Sequence, residues 1–152
     1  MKARRKESSM DAFSPYLVAI VAAWLVAQGA KYIIETVKRR SFNNLRQLYL
    51  SGNMPSSHSA TVIALLTVIG LRDGTTSGLF GLAVLFAAIV MYDAMMVRRS
   101  SGEQGIAIQE LIKEQKSSVA LPRAAKGHTP VEVLVGAILG ALIGLVVFLA
   151  TR

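Results

Sequence analysis

Four long stretches without a single Asp, Glu, Lys or Arg constrain the fold of this chain more than any other feature. They cover residues 12–30, 47–71, 74–92 and 133–151, with lengths of 19, 25, 19 and 19 residues. All 26 formal charges fall in the other 70 of the 152 residues, although 53% of the chain is apolar. A bilayer core about 30 Å thick requires roughly 20 apolar residues in a helix that rises about 1.5 Å per residue. Each stretch can supply most of one span, so the pattern predicts a membrane protein and excludes a disordered chain.

The spans and the turn signals between them predict an all-α integral membrane helix bundle with about four transmembrane helices. The expected spans are residues 13–36, 55–71, 79–97 and 130–150, within a single domain of residues 12–152. Residues 98–128 form a polar loop, in which four apolar residues alternate with three charged ones: Ile106, Ile108, Leu111 and Ile112 with Glu110, Lys113 and Glu114. That alternation predicts a short interfacial amphipathic helix, on the membrane surface or packed on the protein itself. Residues 1–11 are a basic tail that is expected to be mobile.

The first apolar stretch has a second interpretation as a secretory signal peptide. A basic start, an apolar run over residues 17–27 and the small residues around Gly29 follow the order of such a peptide. The helical pattern nevertheless continues through Tyr32 and Ile34 into Lys38. This continuation favours a transmembrane helix.

The net charge of +8 indicates an anionic partner, and the absence of Cys excludes disulfides, thiol catalysis and thiolate metal sites. Lipid headgroups, nucleic acid and a phosphorylated substrate are the three candidates. Membrane spans argue against nucleic acid and in favour of the lipid bilayer. The simplest role for the flanking Lys and Arg residues is to set topology and contact lipid phosphate.

Ionisable residues at membrane depth are functional candidates, because a charge at mid-bilayer costs about 2.5 to 3.5 kcal/mol or more. Lys31 and Asp93 qualify, and His58 stands at the entrance of a span. Lys31 has structural alternatives, which are snorkelling to the interface or pairing with Glu35. Asp93 has the alternative of pairing with a neighbouring helix.

The alternation of four spans brings several of these residues to one side of the membrane. The end of the first span, the start of the second, the end of the third and the start of the fourth all face the same way. Those ends carry both histidines and several basic and hydroxyl residues: Lys31, Lys38, Arg39, Ser56, Ser57, His58, Asp93, Arg98, Arg99, His128 and Glu132. This composition predicts an anion site.

A phosphate ester fits the residue types at this face. A helix that begins at Pro55 offers free N–H groups, to which the Ser56 and Ser57 hydroxyls add donors. Arg98 and Arg99 can clamp phosphate oxygens. Two histidines beside a phosphate allow one to attack phosphorus and the other to protonate the leaving oxygen, without a metal or other cofactor.

Glu132 has two interpretations. Its carboxylate can orient the ring of His128, four residues before it. It also completes a capping box with Thr129 at the start of the last span, which would use the carboxylate on the backbone. Both remain open from the sequence.

Three ordered blocks resemble a known family. Residues 54–61 (MPSSHSAT), residues 92–104 (YDA, VRR and GEQ) and residues 127–133 (GHTP and EV) are similar to motifs of the type 2 phosphatidic acid phosphatase superfamily. They look most like its short bacterial and plastid branch, described as acid phosphatase/vanadium-dependent haloperoxidase-related. The resemblance covers about Tyr16 to Leu149.

The resemblance implies a phosphatase-like membrane domain with a histidine nucleophile. Carried over, His128 is the nucleophile, Glu132 orients it and His58 is the general acid. Lys31, Lys38 or Arg39, Ser56, Ser57, and Arg98 or Arg99 would bind the substrate phosphate, with Asp93 in support. Ser57 occupies a position where the superfamily has Gly, and Glu132 occupies one where it has Asp. The arginine that the superfamily has shortly before the nucleophilic histidine is replaced here by Arg98 or Arg99, which lie on a different helix.

The leading hypothesis is therefore a metal-independent membrane phosphatase that hydrolyses a lipid or polyprenyl phosphate monoester or pyrophosphate through a phosphohistidine. The alternative is a non-catalytic protein of the same fold that binds anionic lipid or a protein partner; a transporter or a haloperoxidase is a more distant option. Gly136, Gly140 and Gly144 recur on one face and would suit either a homodimer or an internal contact.

The resemblance implies a multi-pass protein of the bacterial inner membrane. With the loops after the first and third spans inside, ten basic residues lie in the cytoplasm against six outside, which favours a cytoplasmic site. Bacterial lipid phosphatases of the superfamily often face the other way, so both orientations stay open.

Overall fold

A computed structural model describes residues 13–39, 54–122, 124 and 127–152, with Arg39 described by its backbone alone. The predicted mobile tail and the basic residues Arg40, Arg46, Arg123 and Lys126 lie outside the described residues. The described part forms five α-helices and one π-helical turn. They are α1 (Pro15–Arg39), α2 (Ser57–Arg72), α3 (Gly78–Tyr92), the π-turn (Asp93–Val97), α4 (Arg98–Glu114) and α5 (Pro130–Ala150).

The prediction of an all-α membrane helix bundle is confirmed. No strand occurs among the residues that the structure describes. Three helical segments are long and apolar enough to cross a membrane: Pro15–Lys38, Gly78–Glu114 and Pro130–Ala150. The apolar helix α2 has 16 residues and is thus about 24 Å long. It is the central helix of the bundle, because it contacts α1, α3 and α5.

Small residues allow α2 and α5 to pack with their backbones close together. Gly136, Gly140 and Gly144 of α5 are buried and face the carbonyl oxygens of Ser56, Ala60 and Ala64. A Cβ atom at any of the three glycines would lie closer than 3.0 Å to α2. The glycine face is therefore occupied by a contact within the chain, which was one of the two uses that its spacing predicted.

The start of α2 differs from the sequence prediction by two residues. Pro55 was expected at the first helical position, whereas the helix begins at Ser57 and Ser56 is the N-cap. The reason is that the Ser56 hydroxyl accepts hydrogen bonds from the N–H and the hydroxyl of Ser59. Such a cap satisfies a backbone donor that the first turn leaves free.

The segment after residue 97, predicted as a polar loop with a short helix, is helical from its first residue. The π-turn joins α3 directly to α4, so the helix continues from Gly78 to Glu114. Side-chain pairs four residues apart, Arg99 with Glu103 and Ser100 with Gln104, support the first turns of α4. Its polar composition therefore does not end the helix.

Three contacts close the end of the bundle opposite the predicted site. The Tyr16 hydroxyl donates to Asp73 at 2.7 Å, and Arg72 donates to the Thr151 carbonyl at 2.6 Å. Arg152 lies over the Phe148 ring, 5.0 Å from its centroid. The first contact joins the start of α1 to the end of α2, the second joins the end of α2 to the end of α5, and the third lies within the end of α5.

Candidate active site

The end of α1, the start of α2, the π-turn and the start of α5 meet at one end of the bundle. Lys31 lies in α1 with 6% of its surface exposed, whereas His58 in the first turn of α2 is exposed. His58 interacts electrostatically with Lys31, Asp93, Arg98 and His128. Five of the residues that the sequence assigned to one membrane face thus lie within electrostatic range of His58 or are His58 itself.

His128 and Glu132 form the most closely defined contact of the site. The Nδ1 atom of His128 lies 3.0 Å from Oε2 of Glu132, and only 4% of the histidine is exposed. The same Oε2 accepts the backbone N–H of Thr129 at 3.1 Å, and the Thr129 hydroxyl accepts the N–H of Glu132 at 3.3 Å. The capping box and the histidine contact therefore coexist on one carboxylate. With Nδ1–H donated to Glu132, the lone pair of the neutral ring is on Nε2.

The backbone on both sides of His128 is fixed by other elements. Its N–H donates to the Ala94 carbonyl in the π-turn at 2.9 Å. A Cβ atom on Gly127 would lie closer than 3.0 Å to backbone atoms of Arg99, so only glycine permits this approach. On α5, the carbonyl of Glu132 accepts the N–H of Ser56 at 3.1 Å. Neither Ala94 nor Gly127 was singled out from the sequence, although both lie in blocks that carry the family resemblance.

Burial lowers the pKa of His128 below its ordinary value of 6.5. The hydrogen bond and the charge of Glu132 act in the opposite direction, whereas the positive charges of Lys31 and Arg98 lower the pKa further. Desolvation is the largest of these effects. His128 is consequently neutral at pH 7, the form in which Nε2 is a nucleophile.

The two serines before His58 are buried. Ser56 is fully buried, and its hydroxyl is engaged by Ser59 as the cap of α2. Its side chain therefore belongs to the framework of the site, and the phosphate contact that the sequence predicted for it stays a prediction. Ser57 is 4% exposed and opens α2, so its position at a helix N-terminus still suits an anion.

The two arginines at the start of α4 face different surroundings. The Nε atom of Arg98 pairs with Oδ2 of Asp93, and Arg98 interacts electrostatically with both histidines. Arg99 pairs with Glu103 at 3.1 Å, with more than half of both side chains exposed. The structure thus places Arg98 with the histidines.

A groove of about 520 Å³ opens beside Arg99. It is lined by Met95, Met96, Arg99, Ser100, Glu103 and Pro130. The side chain of Lys38 is exposed near the end of α1. Among the described residues, no group of three or more His, Asp or Glu side chains is arranged to hold a metal ion.

Comparison with known proteins indicates the family of the chain. The chain is 37% identical over 145 residues to YuiD of Bacillus subtilis (strain 168), described as an uncharacterized membrane protein, and the match covers 86% of this chain and 91% of YuiD. No solved structure matches. The membrane relative and the apolar helices show a multi-pass integral membrane protein. Because the family model described as the Divergent PAP2 family matches residues 13–143, the chain belongs to that family, which confirms the resemblance in its sequence.

Proposed function

We propose that this protein is a membrane phosphatase that hydrolyses a lipid or polyprenyl phosphate monoester or pyrophosphate through a phosphohistidine at His128. The observation that carries the proposal is the 3.0 Å contact between Nδ1 of His128 and Oε2 of Glu132, beside His58 and Arg98. Family membership supports a phosphatase-related chemistry, and the bilayer supplies lipid substrates.

In the first step, Nε2 of His128 attacks phosphorus and the bond from phosphorus to the leaving oxygen breaks. Protonated His58 donates its proton to that oxygen. The lipid of a monoester therefore departs as a neutral alcohol, and the lipid of a pyrophosphate departs as its monophosphate. The attack places a positive charge on the His128 ring, which Glu132 stabilises through Nδ1–H. The exposure of His58 suits a group that exchanges protons with water.

In the second step, a water molecule attacks the phosphohistidine. His58, now neutral, accepts a proton from this water while the bond between nitrogen and phosphorus breaks. Inorganic phosphate leaves, and both histidines return to their starting forms. The chain's own side chains perform each proton transfer in this scheme.

Arg98 and Lys31 are the proposed ligands of the phosphate oxygens. Both interact electrostatically with His128, and Lys31 is buried, where its charge is less screened by water. The N-terminus of α2 at Ser57 adds backbone donors and the positive end of a helix dipole. Lys38, Arg39 and Arg99 remain contributors predicted from the sequence.

A second candidate is a non-catalytic protein that binds anionic lipid or a protein partner. One observation favours it: only 4% of the surface of His128 is exposed. Such a protein would use the basic face of the bundle to hold a phosphate headgroup, without reaction at the histidine.

The test is phosphate release from a panel of lipid and prenyl phosphates by detergent-purified protein in the presence of a chelator. The variants are His128→Ala and His58→Ala, with Glu103→Gln as a control in an exposed ion pair. We expect release by the parent and the control, and a loss of about 100-fold or more in each histidine variant. Parent-level release by folded His128→Ala would falsify the phosphohistidine. No release by the parent, with binding to phosphatidate vesicles that survives both histidine substitutions, would support the second candidate.

A further inference from the structure

The π-turn between α3 and α4 has a hydrogen-bond pattern that reaches into the site. The backbone N–H of Arg98 donates to the Asp93 carbonyl, five residues back, instead of to the Ala94 carbonyl, which is its usual α-helical acceptor. The Ala94 carbonyl accepts the N–H of His128 at 2.9 Å. The wide turn thus provides a backbone acceptor for the segment that carries the proposed nucleophile.

The same turn holds the side chain of Arg98. Asp93 and Arg98 are five residues apart and lie on one face of the wide turn, where Oδ2 of Asp93 pairs with Nε of Arg98. A guanidinium group has five N–H donors, so a contact through Nε leaves the four terminal donors available. Those donors are the ones that form a fork to phosphate oxygens.

The two Arg–carboxylate pairs of this region provide an internal comparison. In the Asp93–Arg98 pair, 35% and 41% of the two side chains are exposed, against 66% and 58% in the Glu103–Arg99 pair. Arg98 interacts with both histidines, and Asp93 itself interacts with His58. An exposed pair such as Arg99 with Glu103 contributes little to stability or orientation.

We infer that Asp93 is a positioning residue, which holds Arg98 ready to bind phosphate, and that the π-turn fixes Arg98 and His128 relative to each other. Asp93 acts through Arg98 and does not touch the substrate. The inference rests on the proposed function, because it assigns Arg98 as the phosphate ligand.

Binding of orthovanadate, a phosphate-like oxyanion, tests this role directly. The inhibition constant for orthovanadate and the KM and kcat for a lipid phosphate are measured for the parent, Asp93→Asn, Asp93→Glu and the control Glu103→Gln. We expect Asp93→Asn to raise the inhibition constant and KM about 10-fold with a smaller change in kcat. Asp93→Glu, which restores the carboxylate, should recover part of that loss, and Glu103→Gln should stay within about twofold of the parent.

A double substitution distinguishes an effect of Asp93 that acts through Arg98 from an effect of Asp93 that is independent of Arg98. If Asp93 acts through Arg98, Asp93→Asn should have little further effect on vanadate binding in an Arg98→Lys background. If the two substitutions raise the inhibition constant independently, so that their fold-changes multiply in the double variant, the inference is overturned. An unchanged inhibition constant in folded Asp93→Asn would also overturn it, whereas the proposed phosphatase activity would be unaffected by either result. If Asp93→Asn does not fold, Asp93→Glu provides the same test, because we expect it to raise the inhibition constant for orthovanadate about threefold. A parent without release can still be assayed by the rise of its melting temperature with vanadate, and a parent that neither hydrolyses nor binds vanadate would overturn both proposals.

Discussion

The Oε2 atom of Glu132 lies 3.0 Å from Nδ1 of His128 and also accepts the N–H of Thr129. One carboxylate oxygen therefore caps α5 and sets the orientation and tautomer of the imidazole. The four-residue spacing between the two side chains makes this possible, because the capped first turn of α5 returns Glu132 towards the residues before the helix. The fold of the helix start and the geometry of the site are thus a single structural feature.

Substitution of Glu132 by Gln is expected to reduce kcat far more than stability. Gln keeps the shape and can still accept the Thr129 N–H, but it provides no negative charge for the imidazolium that forms during the reaction. We expect kcat for a lipid phosphate to fall about 100-fold or more, with a change of about 1 kcal/mol in the free energy of unfolding. Steady-state kinetics and thermal unfolding in the same detergent measure both quantities.

Thr129→Ala is the matched control for that variant. It removes the hydroxyl that accepts the Glu132 N–H and leaves the contact between His128 and Glu132 in place. Stability should fall by about 1 kcal/mol, with kcat within a few-fold of the parent. Equal losses of kcat in Thr129→Ala and Glu132→Gln would show that the carboxylate acts only as a cap.

Much of the bundle follows from the sequence because the bilayer limits what charge-free stretches can form. The convergence of Lys31, His58 and His128 then follows from the alternating direction of the spans, and the glycine spacing of α5 indicates a close helix contact. These conclusions depend on periodicity and length alone, which a sequence shows directly.

The π-turn could not be predicted in the same way. A π-turn adds one residue to a helical turn and has no composition of its own, yet it changes which side chains share a face beyond Asp93. For that reason the sequence left Arg98 and Arg99 undecided, whereas the structure places Arg98 with the histidines. Ser56 was likewise ambiguous, because a hydroxyl before a helix serves equally as a cap or as a phosphate ligand.

The pH dependence of phosphate release should reflect the lowered pKa of His128. The nucleophile His128 must be neutral and the general acid His58 must be protonated. The acidic limb of kcat/KM is therefore expected to rise with pH through the pKa of His128, with a midpoint below 6.5, and the rate should fall again at higher pH as His58 loses its proton. In Glu132→Gln, the hydrogen bond to a carboxylate and its charge, which raise this pKa, are lost. The midpoint should therefore move to still lower pH. Because both proteins are assayed with one substrate, ionisation of the substrate affects both midpoints equally and does not change the difference between them. A midpoint that is higher in Glu132→Gln than in the parent would contradict the assignment of His128 as the nucleophile.

The contact between α5 and α2 should not tolerate a side chain at Gly140. A Cβ atom there would lie closer than 3.0 Å to backbone atoms of Ala60. Gly140→Ala is expected to destabilise the protein by about 1 to 3 kcal/mol, because overpacking forces the helices apart. Gly81→Ala in α3 is the control, since nothing lies within 4 Å of its Cβ position. Thermal unfolding in detergent should show a lower melting temperature for Gly140→Ala and an unchanged one for Gly81→Ala. Equal melting temperatures would mean that α2 and α5 can move apart with little loss of stability.

Gly127→Ala should impair catalysis by displacing His128. The added Cβ would meet backbone atoms of Arg99, and backbone shifts rather than a rotamer change must relieve that overlap. Such a shift lengthens the contact from the His128 N–H to the Ala94 carbonyl and moves the ring relative to Arg98. We expect kcat to fall about 100-fold, as a misplacement of about 1 Å can produce.

The control for Gly127→Ala is Gly78→Ala, at the start of α3, whose Cβ position is open. The melting temperature of each variant distinguishes displacement of the ring from general unfolding. If the Gly127 variant unfolds at the temperature of the parent and loses kcat, the loss comes from the position of His128. Full activity in that variant would show that the docking of His128 on the π-turn is not required for the reaction.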